Sequence, residues 1–64
     1  MKNKYTLVGV DGNAFIIMAY VKTAMKNCGF SQKEISDYLE RATSSDYNNL
    51  IIESMNMIDE CNNR

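Results

Sequence analysis

Few residues of this chain are typed and spaced for chemistry, and most of those lie between Gly9 and Asn13. The run Gly9-Val10-Asp11-Gly12-Asn13 joins an extended-type segment to a helical one. At such a junction, unpaired backbone amides meet the positive end of a helix dipole, and a phosphate or carboxylate can be held there. Gly9 and Gly12 would let a ligand approach the backbone, Asp11 or Asn13 could bond a hydroxyl or a base edge, and Phe15 adds an apolar contact. The same residues also make an ordinary helix start, with Asp11 or Asn13 as N-cap and the glycines permitting the turn. On sequence alone both readings stand. The spacing is neither the Gly-x-Gly-x-x-Gly dinucleotide fingerprint nor a phosphate-binding loop ending in Gly-Lys-Ser/Thr. An EF-hand is excluded because Lys22 stands where the bidentate Glu is required.

Catalysis finds no support elsewhere. The chain has no His for proton transfer and only two cysteines, Cys28 and Cys61. Both fall on apolar arcs near helix C-termini, where the local dipole disfavours a reactive thiolate. Asp11 has no second acid placed beside it. Without His, and without metal-ligand spacing at the cysteines, no metal or cofactor is implied. The reading is therefore non-enzymatic.

Stepping outward from these residues, the 64-residue chain has room for one domain, residues 1–64. A chain of this length buries only about 60% of its unfolded surface, so support from an oligomer is expected. Seven basic residues against eight acidic ones give a formal charge of −1, without the positive excess that drives contact with nucleic acid. Lys2, Lys4, Lys22 and Lys26 cluster weakly, as on a solvated face. Two cysteines and no signal-type segment point to a reducing cytoplasm where thiols stay reduced, with a Cys28–Cys61 bridge as the alternative. The apolar run from Ala14 to Val21 is too short to span a bilayer.

The elements that position the Gly9–Asn13 junction follow from periodicity. Lys4 to Val10 alternates loosely and predicts a short β-strand over about residues 4–10. Both edges of such a strand need partners, from this chain or another copy. Asp11-Gly12 could return as a hairpin through Asn13 to Ile17, but the spacing beyond is helical. A helix is predicted over about residues 13–28, with Ile17, Val21, Ala24 and Cys28 on one arc and a stop at Gly29-Phe30. Ser31-Gln32-Lys33-Glu34 is a capping box that opens a second helix, about residues 32–43, with the stripe Ile35, Tyr38, Leu39 and Ala42. A third spans about residues 46–61, with Leu50, Ile51, Met55, Ile58 and Cys61 on its buried side, joined by Tyr47, Ser54 and Met57. The fold is thus mainly α: a short N-terminal strand and three helices in a homo-oligomer.

The first helix begins apolar all round. Phe15, Ile16 and Ala19 occupy the side that Lys22, Thr23 and Lys26 occupy further along, so they need cover from the strand, from another subunit, or from both. Tyr5, Tyr20, Tyr38 and Tyr47 suit either core edges or an interface. Met18, Met25, Met55 and Met57 are adaptable core filler or the lining of a peptide groove.

At Val8-Gly9-Val10-Asp11-Gly12-Asn13-Ala14-Phe15 and at Ala42-Thr43-Ser44-Ser45-Asp46-Tyr47-Asn48-Asn49-Leu50, the chain resembles a group of small, poorly characterised proteins of bacteria, phages and mobile elements. Ser45 stands where that group has Gly. The resemblance implies context rather than a mechanism: tiny phage-borne proteins often inhibit a host protein or sequester a small signalling molecule. Two functions are therefore expected to compete. The first is a non-enzymatic oligomeric binding protein that holds an anionic or nucleotide-type ligand at Gly9, Asp11, Gly12, Asn13 and Phe15. The second is a protein–protein inhibitor or regulator of a host protein, with the turn purely structural. A helix-turn-helix reading of the last two helices is opposed by Glu34, Asp37, Glu40, Asp46 and Glu53.

Overall fold

The computed structural model describes residues 5–64 and contains three helices: α1 (Ala14–Asn27), α2 (Gln32–Ala42) and α3 (Tyr47–Asn62). Each boundary is written locally. Asn13 caps α1 by accepting the amide of Phe15 at 2.9 Å. At its other end Gly29 adopts φ +88°, Phe30 N donates to Met25 O at 3.0 Å, and Gly29 N donates to Lys26 O at 3.2 Å. Those two bonds form a Schellman motif, which needs the left-handed conformation that glycine adopts without a Cβ clash. Phe30 is thereby turned into the core beside Met25.

The capping box is complete. Glu34 N donates to Ser31 Oγ at 3.2 Å, and Ser31 N donates back to Glu34 Oε1 at 3.0 Å. The Ser31 backbone amide, then its hydroxyl, hold the Glu34 carboxyl below its ordinary range. Asp46 caps α3 through Asn49 N at 2.9 Å, so the turn before it needs no left-handed residue. Ser45, in the glycine position of the resembled group, accordingly has no positive φ.

Helix α3 packs against both α1 and α2, and the core forms between them from Ile17, Val21, Met25, Phe30, Ile35, Tyr38, Leu50 and Ile58. One polar pair enters it. Tyr38 and Ser54 are both fully buried and share a hydrogen bond of 2.6 Å between their hydroxyls. The Cα envelope measures 34 × 27 × 15 Å, so the molecule is a thin slab and each helix keeps one face outside. Among the described residues no helix is long and apolar enough to cross a membrane.

The predicted strand over 4–10 does not form among the described residues; Lys4 lies outside them. Tyr5 to Val10 is instead an irregular strap with a turn, closed by Val10 N to Leu7 O at 3.1 Å, with Gly9 at φ +84°. The physical reason is that the described residues supply no second strand. A side chain takes that part: Tyr5 N donates to Asn62 Oδ1 at 2.7 Å and Asn62 Nδ2 donates to Tyr5 O at 2.9 Å. Thr6 N donates to Tyr20 Oη at 3.2 Å and Val8 N to Thr6 Oγ1 at 3.1 Å. The amides of Tyr5, Thr6, Val8 and Val10 are therefore satisfied without a ladder. Nor does Asp11-Gly12 turn back as a hairpin, because the Asn13 cap sends the chain into α1.

Candidate functional surface

In the structure, the side chains of the Gly9–Asn13 junction are already engaged. Asp11 Oδ1 accepts the backbone amide of Asn13 at 2.8 Å, and Asn13 Oδ1 accepts that of Phe15. The two form consecutive local turns that fix the entry to α1. Gly12 contributes its carbonyl, which accepts a hydrogen bond from the Tyr47 hydroxyl and ties this turn to the first residue of α3. Gly9 allows the strap to turn at φ +84°, and a Cβ there would meet nothing within 4 Å. All five predicted site residues are exposed, and Phe15, at 79%, is the one with a large apolar side chain.

Around Phe15 and Tyr47 the surface is apolar. The strap packs Tyr5, Leu7 and Val10 against the core, and Tyr5 meets Tyr20 edge-on at 6.4 Å between ring centroids. It covers that flank of α1 and leaves Phe15, Ile16 and Ala19 exposed. Beneath it runs a groove of about 450 Å³, walled by Leu7, Val8, Tyr47, Ile51, Met55 and Ile58, with Asp59 the one charged residue of its lining among the described residues. Across Tyr47 a second groove of about 330 Å³ is walled by Phe15, Met18, Tyr47 and Leu50, and there Asp46 is the one charged residue among those described. Val8 is 86% exposed and Met55 55%. The expectation that Met55 and Tyr47 lie on the buried side of α3 is thus corrected. The apolar stripe of that helix is wider than the core it faces, and its flank at Tyr47, Ile51 and Met55 reaches solvent.

Tyr47, like Met55, lies further out than its place in the stripe predicts. It divides two apolar grooves, and its hydroxyl holds the turn in register. The signal was present in the spacing of Tyr47, Ile51 and Met55, four residues apart on one stripe, with Ile52 widening it further. What the spacing does not carry is which edge of a broad stripe the neighbouring helices leave uncovered.

The chain matches no family model, no curated protein and no solved structure. The surface must be read from its own chemistry.

Proposed function

We propose that this chain is a non-enzymatic protein-binding module, an inhibitor or regulator that acts by stoichiometric association, and that its docking surface is the pair of grooves on either side of Tyr47. The observation that carries the reading is the exposure of Val8, Phe15 and Met55 around those grooves, in a chain too small to leave apolar area uncovered without cost. The rim specifies the partner's chemistry. Asp11 precedes the Tyr47-bound turn, Asp46 borders one groove and Asp59 the other, and among the described residues neither lining contains a basic residue. The occupant is accordingly a segment with apolar anchors flanked by Lys or Arg. The likeness to small phage and mobile-element proteins would make its owner a host protein.

An anionic or nucleotide-type ligand at Gly9–Asn13 is the competing proposal. The open space at Gly9 favours it. Against it, Asp11 Oδ1 and Asn13 Oδ1 already accept amides at the helix start, and the Asp11 carboxylate repels an anion. A second copy of this chain, pairing strap with strap, is a rival occupant of the apolar face.

Affinity capture from host lysate with three forms of the protein separates these readings. The protein-binding reading expects one saturable partner that survives Asp11→Ala/Asn13→Ala and is lost with Phe15→Glu/Met55→Glu. Calorimetric binding of a nucleotide by the wild type, abolished by Asn13→Ala, would transfer the assignment to the ligand. Light scattering that shows a stable oligomer, dissociated by Phe15→Glu/Met55→Glu, would assign the face to self-association.

A further inference from the structure

At the opposite end of the bundle the fold brings the two cysteines together across 33 residues of chain. Cys28 is the C-cap of α1, half-buried, and its Sγ donates to the backbone carbonyl of Cys61 at 3.7 Å. Cys61 lies in the last turn of α3 and is fully buried, so the Cys28 sulfur sits against the backbone of Cys61. Both are thiols rather than a disulfide in this structure.

We propose that Cys28 and Cys61 form a reversible intramolecular disulfide that latches the C-terminal end of α1 to that of α3. A disulfide demands close approach of the two Cβ atoms and a defined torsion. The Cys28 sulfur already lies against the backbone of Cys61, so rotation of the two side chains is the motion that would bring the sulfurs together. The difference in exposure sets the order of events. Cys28 is reachable, so its thiolate attacks one sulfur of a small disulfide such as oxidised glutathione and expels one small thiolate. Cys61 then gives up its proton and attacks the Cys28 sulfur, expelling the second small thiolate. One S–S bond breaks and one forms. Two electrons pass from the protein thiols to the small disulfide, and the two protons released end on the two small thiols. Burial, and then the Cys28 thiol, push the Cys61 thiol up to about 12, which makes the second step slow and protects the reduced form from casual oxidation.

The latch has a structural consequence. Asn62, which clamps the Tyr5 backbone from both sides, follows Cys61 directly. Fixing the last turn of α3 therefore also fixes the anchor of the strap.

Titrating the native, full-length protein against reduced and oxidised glutathione, with intact mass measured without reductant, tests the latch. The expected product is a monomer lighter by two hydrogen atoms, with no retained glutathione. Its thermal midpoint should rise by on the order of 10 °C and fall back on reduction. Cys61→Ala should trap a stable glutathione adduct at Cys28, whereas Cys28→Ser should stay unmodified while folded. A lasting adduct on the wild type, a disulfide-linked dimer, or bridging only in denaturant would each overturn the proposal. The wild-type mass decides even if a variant fails to fold.

Discussion

The buried hydroxyl pair Tyr38–Ser54 carries more risk than its single bond suggests, because neither partner has water in reach. Ser54→Ala leaves the Tyr38 hydroxyl buried without a partner and should cost about 1–3 kcal/mol, whereas Tyr38→Phe/Ser54→Ala should cost less than the sum of the single changes. A double-mutant cycle by urea unfolding measures both. The glycines of the junction make a second test at this scale, since they are not equivalent. Gly9 sits at φ +84°, so Gly9→Ala forces a left-handed conformation at a cost of about 1–2 kcal/mol. Gly12 has no such φ, and an added Cβ would meet only the Tyr47 hydroxyl at an ordinary 3.6 Å. Gly12→Ala should leave urea stability within about 0.5 kcal/mol of the wild type.

The helices illustrate how local chemistry makes elements legible. Ser31 with Glu34, Gly29 with Phe30, and Asp46 ahead of Tyr47 each encode a boundary within four residues, and the structure places the ends within a residue or so of those signals. The strap was not legible in the same way. Alternation over Lys4–Val10 describes a chain able to be a strand, but strand formation needs a partner, and the sequence does not announce that an Asn62 side chain 57 residues away will supply the matching donor and acceptor. The junction was half legible: its role as a helix start is local, while the contact of Gly12 with Tyr47 spans 35 residues. Asn62→Ala therefore tests the strap as a unit. Hydrogen exchange at the Tyr5 amide should accelerate sharply, that at Val21 in the core of α1 should change little, and equal effects at both would contradict a separately held strap.

For the molecule as a whole, stability should decline on the alkaline side. Burial raises the Tyr38 hydroxyl above its ordinary value despite the opposing Ser54 hydrogen bond, and it raises Cys61, which faces Cys28, Arg64 and Glu60, from 9.0 to about 12. Both groups hold their protons longer folded than unfolded, so their contribution is complete below the unfolded values and is lost as pH rises from about 9 towards 12. Urea unfolding under reducing conditions should show that decline, and Cys61→Ala should flatten it.

Among the large hydrophobic side chains left exposed, Val8, Phe15, Tyr47 and Met55 line the two grooves, whereas Ile16 and Ile52 lie outside them. The most direct test of that surface as a protein-docking site is photo-cross-linking in cells, with a benzophenone amino acid placed singly at Phe15, Met55 and, as control, the exposed Lys33. A protein-binding module predicts the same partner protein joined at positions 15 and 55 and absent at 33, its yield falling as salt is raised in lysate. Equal labelling at all three positions, or products made only of two copies of this chain, would contradict it.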